Sequence, residues 1–285
     1  MHAKCLLVLV ALAGCGDSQV TFTQTPQRID LGVAPIPAAT PVPGKQATVA
    51  LRLPRVGDVR MVRESGSISG AALVRTTRQP VTGNLDKARR FEVLAVAGDV
   101  VTRARVSFPV ESTELRIGNI AAPWTPHLRD HSYLVDWRAG KLEVSRDDRL
   151  PLGADERDRL LDTVRPLVGA PDFVARAIGG KRLASDTVVQ LPASEVAATL
   201  GDATVRDASL RLVDVRGDVA VFEYYLAARI VDDGTPHDVV ARSLLHLSMA
   251  TGDSVGESTT TSVHTKQGDR EMSIVFATKV EFGDA

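Results

Sequence analysis

Cysteine is nearly absent: the 285 residues contain two, Cys5 and Cys15, both within the first fifteen positions. The body of the chain therefore has no disulfide, no thiolate metal site and no cysteine nucleophile. Aromatic residues make up only 4%, so valine, leucine and alanine must build the core. Two tryptophans, Trp124 and Trp137, are too few for a sugar-stacking platform. An excess of one charge is also missing. With 34 basic and 35 acidic residues, the net charge of −1 gives no electrostatic case for binding nucleic acid. Beyond the N-terminus, no apolar run approaches the ~20 residues that a membrane-spanning helix needs.

What is present begins with Lys4 and the apolar run Leu6–Ala11, followed by small residues. These are the parts of a secretory signal. Leu12-Ala13-Gly14-Cys15 resembles the cleavage motif of bacterial lipoproteins. The resemblance implies cleavage between Gly14 and Cys15, a diacylglycerol thioether on Cys15 and an acylated amine. A single acyl chain holds a protein only marginally, at ~0.8 kcal/mol per buried CH₂, so several chains on one residue make a firm anchor. Removing residues 1–14 takes away only Lys4 among the charges, leaving 33 basic and 35 acidic residues. Glycine, Gly16, follows the cysteine where aspartate would favour the inner membrane. Under that sorting pattern the expected place is the outer membrane, facing the periplasm.

Residues 15–46 read as the lipidated cysteine and a tether, with Pro26, Pro35, Pro37, Pro41 and Pro43 among small polar residues. Proline-rich chain stays extended, at up to ~3.1 Å per residue. The globular part spans 47–283, enough for one large domain or two halves of about 47–150 and 180–283. Two hairpins stand out. Phe91–Ala97 and Val100–Val106 alternate about the turn Gly98-Asp99, a spacing that pairs Ala97 with Val100 and Val93 with Ala104. Val213 and Val215 precede Gly217-Asp218, after which Ala220, Phe222, Tyr224, Leu226, Ala228 and Ile230 share one face, with Glu223 and Arg229 on the other. The short match between Phe91–Val100 and Leu210–Val219 raises an internal repeat. Further strands are expected at 47–53, 59–77, 131–136, 141–145, 238–249, 254–265 and 270–282. Helices are expected at 154–168, with Pro166 ending or kinking it, at 171–178 and at 193–200. The sum is an α+β fold, a large curved antiparallel sheet with a few central helices.

Motifs for chemistry are weak throughout. Gly66-Ser67-Ile68-Ser69-Gly70 has isoleucine where a hydrolase elbow needs its serine, and reads as a strand. His127 and His131 have helical i,i+4 spacing, but Pro123 and Pro126 favour a loop without metal. His237, His246 and His264 are scattered and read as solvated or capping residues. Asp232-Asp233-Gly234 lacks the alternating ligands of a calcium loop. Gly179-Gly180-Lys181 lacks the P-loop spacing and reads as a helix stop. Arg216-Gly217-Asp218 is a hairpin tip. No catalytic, metal or cofactor residue is assigned.

From Tyr133 to Leu191 the order is Tyr-Leu-Val-Asp, a Gly-Lys turn, Leu-Glu-Val, an amphipathic helix, Gly-Gly-Lys-Arg-Leu, and Val-Val-Gln-Leu-Pro. With the closing run Leu245–Asp253, this resembles uncharacterised bacterial lipoproteins. More distantly it is similar to the lipoprotein-carrier-like half-barrel folds. That resemblance implies a curved sheet wrapped around helices, with a concave apolar cavity for acyl chains. The expected function is a membrane-anchored, non-catalytic envelope module that binds an apolar ligand such as a lipid. The alternative is a structural envelope protein that meets a protein partner and holds no small ligand, and third is a hydrolase with an unrecognised motif. The expected partners are membrane lipid through Cys15, and an apolar ligand or an envelope protein, with no nucleic acid.

Overall fold

The structure is a computed structural model that describes residues 36–74, 77–122, 128–185, 187–201, 203–232, 234–267 and 270–283. Cys15, Gly14, the rest of the signal and most of the tether lie outside these residues, as do His127 and Trp124. The first half contributes β1 (Gln46–Thr48), β2 (Val59–Val74), β3 (Thr77–Ala97), β4 (Val100–Ile117), β5 (Ile120–Ala122), β6 (Ser132–Arg138) and β7 (Lys141–Arg146). The middle holds α1 (Ala154–Val164), α2 (Phe173–Ile178), β8 (Arg182–Ala184), β9 (Val188–Gln190) and α3 (Ala193–Leu200). A meander follows: β10 (Ala203–Arg216), β11 (Val219–Asp232), β12 (Thr235–Ser248), β13 (Ser254–Gln267) and β14 (Arg270–Gly283).

The fold is α+β and dominated by one antiparallel sheet. Its strand order is β7-β6-β4-β3-β2-β14-β13-β12-β11-β10-β9, with β5 attached to β4. The C-terminal strand β14 pairs along its length with β2, so the two halves of the chain meet at the middle of the sheet. Its ends do not pair with each other, so the sheet is not a closed barrel. The hairpin registers Ala97 to Val100 and Val93 to Ala104 are as the turn spacing predicts.

Strands of 14 to 21 residues are far longer than the ~5–6 of an ordinary strand, and an open sheet this wide must curl. Bulges in the β3–β4 and β10–β11 ladders supply part of the bend. Glycines supply the rest. Gly66 and Gly83 lie on the inward face in neighbouring rows, where a Cβ would run into the carbonyl oxygens of Ala277 and Glu114 on the adjacent strands. Only glycine allows backbones this close.

β3 and β4 extend well past the expected hairpin. Residues 77–90 carry Pro80, Gly83, Asn84 and five charges, which reads as loop, yet β2 and β4 pair with them on both sides. Strand propensity yields to such pairing. Pro109 is tolerated because it falls in a register shift between Ser107 and Val110, where no ladder bond is lost.

The concave face carries two apolar clusters. One joins Leu160, Val164 and Val168 to Phe91, Val93, Ala104, Val106, Tyr133 and Val135. The larger joins α2 and α3, through Phe173, Ile178, Val196 and Leu200, to Leu210, Phe222, Leu226, Ile274 and Phe276. α1 ends at Val164, one residue short of Arg165 and before Pro166, as proline requires. Asp172 caps α2 by accepting from the Ala175 N–H at 3.0 Å.

Candidate functional site

Between the two clusters lies a cavity of about 200 Å³. Its sheet wall is Val62, Phe91, Val93, Leu245 and Leu247, and its other wall is Leu167, just past α1, with Phe173, Val174 and Ile178 of α2. Alternation puts the sheet residues there, because each is in the inward phase of its strand.

Two irregular segments cross the cavity's end. Residues 49–58 are stitched to both halves of the sheet. Ala50 N–H donates to Met249 at 2.9 Å, and Gly57 N–H donates to Val93 at 2.9 Å. Ion pairs fasten the same segment: Arg52 to Asp58 at 2.9 Å, Arg52 to Asp253 at 3.0 Å, and Arg60 to Asp253 at 3.2 Å. The second segment follows α1, where Gly169 N–H donates to Val101 at 2.9 Å. Leu51, Leu53 and Val56 are exposed on the first segment, so apolar surface lies outside the cavity as well as inside.

Below the apolar walls runs a row of charges that the sequence reading missed. Register places Glu257, Val280, Glu64, Lys87 and Glu111 side by side across β13, β14, β2, β3 and β4. Arg89 stands two residues along β3 and, with Glu257, lines the cavity. Glu64, Arg89, Glu111 and Glu257 are all buried. Burial pushes the Glu64 carboxyl above the ordinary carboxylate range, and the attraction of Lys87 and Arg89 offsets this only in part. Glu111 accepts the Leu128 N–H at 2.8 Å, and Glu257 accepts the Thr259 hydroxyl at 2.8 Å. The sequence did hold a signal: Glu64, Lys87 and Arg89 occupy the same strand phase as Val62, Ile68, Leu85 and Phe91. That is the phase of the core.

Acids at the cavity are each committed to a partner: Asp58 to Arg52, Asp99 to Arg176, Asp172 to the α2 cap, and Glu257 to Thr259. The arrangement combines apolar walls with charges already held by partners. It does not present a pair of opposed carboxylates to a substrate, as glycoside hydrolysis would need.

The other candidate residues are dispersed. Ile68 is buried in the middle of β2, so Gly66–Gly70 is strand. His131 contacts Arg146 through Nδ1 at 2.9 Å and lies edge-on to Tyr133. It belongs to a network in which the Tyr133 hydroxyl donates to Glu156 at 2.7 Å and Glu156 reaches back to the Gly153 N–H at the start of α1. Burial and Glu156 raise the Tyr133 pKa. His237 corrects the expectation of a solvated residue: it is 1% exposed and bonds Thr265 Oγ1 at 2.6 Å on the inward face. His264 sits 3.5 Å from Glu271. Gly179 follows α2 as its stop, and Gly217-Asp218 turns β10 into β11. Among the described residues no cluster of three or more histidine, cysteine or acidic side chains is placed to hold a metal. No helix there is long and apolar enough to cross a membrane.

No protein-family model matches this chain, and no curated protein sequence does either.

Proposed function

We propose that the chain is a bacterial envelope lipoprotein, anchored through lipid on Cys15 at the outer membrane and facing the periplasm. Its domain is a non-catalytic module that holds an apolar ligand between its two cores. The observation that supports the binding role is the cavity, whose apolar walls of Val62, Phe91, Val93, Leu245 and Leu247 stand beside charged side chains such as Arg52, Arg60 and Arg89, and which is spanned by irregular segments rather than by sheet. At about 200 Å³ it exceeds the ~150 Å³ engineered cavity that accepts benzene, and falls below the ~300–1,000 Å³ of pockets for drug-sized molecules. It suits one stretch of a single acyl chain rather than a whole multi-chain lipid.

The test uses the full chain with Cys15→Ser, so that no anchor lipid confuses the readout. Native mass spectrometry with lipid extraction is expected to find a co-purified acyl species, and a fluorescent fatty acid is expected to bind. Ala170→Trp places an indole in the cavity from the loop after α1 and is expected to weaken fatty-acid binding by roughly tenfold or more, with the circular dichroism spectrum unchanged. Clean apo-protein that takes up no fatty acid would sink the ligand-binding reading.

A second reading, a structural protein that meets an envelope partner, is favoured by β7. Among the described residues this strand pairs only with β6, and its other edge has no strand beside it, which makes it a place for strand addition. Val144→Pro, at a position whose N–H points away from β6, is expected to lower capture of such a partner while leaving fatty-acid binding intact.

A further inference from the structure

The outer face of the sheet holds part of the chain's own proline-rich segment. On β10–β12, Arg211, Glu223 and Arg242 occupy the strand phase opposite to Leu210, Phe222 and Ala241, which face the core. A buried acid on an outer face needs a cover, and the Glu223 side chain is only 6% exposed. Residues 36–42 provide it. The Ala39 N–H donates to Glu223 Oε1 at 2.6 Å, and Arg211 donates to the Ala39 carbonyl at 2.7 Å. Arg242 donates to the Ile36 carbonyl at 3.0 Å, and the Val42 N–H donates to the Val213 carbonyl at 2.8 Å. Glu223 also holds both arginines, Arg211 at 2.7 Å and Arg242 at 3.3 Å, and the Arg242 guanidinium lies 4.4 Å above the Tyr225 ring.

We propose that residues 36–42 form a latch: the outer face of β10–β12 grips this proline-rich segment by its main chain and so sets where the free tether begins. Three features fit that role. The grip reads backbone N–H and C=O groups, so it requires an extended segment, and Pro37, Pro41 and Pro43 hold φ near the extended value. The acid and both arginines are pre-set by one another, which lowers the ordering cost of docking. The site also lies on the opposite face of the sheet from the cavity, so docking leaves the concave side uncovered. Opening the latch would release residues 36–44 up to β1, lengthening the tether by up to about 28 Å when extended. The consequence for the anchor rests on reading Cys15 as the lipidated residue, whereas the docking itself does not.

Amide hydrogen exchange by mass spectrometry on the unlipidated full chain, carrying Cys15→Ser, tests the latch apart from the anchor. The Ala39 and Val42 amides are expected to exchange roughly tenfold or more slowly than in a free peptide of residues 34–44. Ala39→Pro removes the donor to Glu223 from the strap alone and leaves every sheet residue in place. It is expected to return Val42 to the free-peptide rate while exchange in β11 and β12 stays unchanged. Glu223→Ala is expected to do the same from the sheet side. Exchange of 36–42 at the free-peptide rate in the parent chain, or undiminished protection of Val42 in Ala39→Pro, would overturn the latch.

Discussion

Gly83→Val is expected to leave the domain without a cooperative unfolding transition. A Cβ at this position meets the backbone oxygen of Glu114, with the Leu115 Cα 3.2 Å away. Neither is the end of a flexible side chain, so relief requires β3 and β4 to separate. That pair forms one of the longest ladders in the sheet. Overpacking a core commonly costs about 1–3 kcal/mol and more when backbone must move. Valine adds two methyl groups to the clash, against a total stability of about 5–15 kcal/mol for a typical domain. Gly66→Val is expected to behave similarly, since its Cβ meets the Ala277 carbonyl and lies 2.8 Å from Thr278 Cγ2. Valine at the exposed neighbour Ser67, in the same strand, is expected to cost little. Urea melts followed by circular dichroism separate these outcomes, and a native-like midpoint for Gly83→Val would show that glycine is not what lets the sheet curl.

Arg89→Met is expected to cost about 1–3 kcal/mol near neutral pH, less than the ~3–5 kcal/mol of a buried charge stripped of every partner, because Lys87 stays beside Glu64. Arg89 and Glu64 are both buried and electrostatically coupled, and Lys87 alone would then face the acid. The effect should depend on pH. Burial raises the Glu64 carboxyl in the folded state, so the stability it contributes is fully present below the ordinary carboxylate range and is lost as pH rises through its folded-state value. Two results follow. Arg89→Met should be milder at the acid end of the pH range than at the alkaline end, because a protonated Glu64 needs no cation. Glu64→Gln should gain on the parent chain as pH rises, and Arg89→Met combined with Glu64→Gln should recover more than half of the loss, a coupling that a double-mutant cycle measures. Additive losses at all pH values would show that the two side chains act independently.

How much of this was legible in the sequence varies by element, for physical reasons. The turn at Gly98-Asp99 set the pairing of Ala97 with Val100 because a two-residue hairpin leaves one register, and Val93 still meets Ala104 because the two irregularities around Ala95 cancel. The face Ala220–Ile230 was legible because alternation is local, and all six of its named members are buried. The helix after Gly153 announced itself through acids in its first turn and a proline beyond its end. By contrast, residues 77–90 look like a loop, and only pairing on both sides makes them strand. The candidate site was less legible still. Glu64, Lys87, Glu111 and Glu257 are scattered along nearly two hundred residues. They form one row because four ladders bring them into register.

By itself the sequence determined the signal-like N-terminus, the cysteine-free body, the α+β class and the local registers, because these depend on neighbours within a few positions. Only the tertiary structure decided that β14 joins β2, that a cavity separates two cores above a row of buried charges, and that residues 36–42 lie against Glu223. These depend on contacts between residues far apart in the chain: Ala39 and Glu223 are 184 positions apart. Such contacts are set by how the long strands curl, and the curl depends on glycines and bulges whose effect appears only when their neighbours are in place.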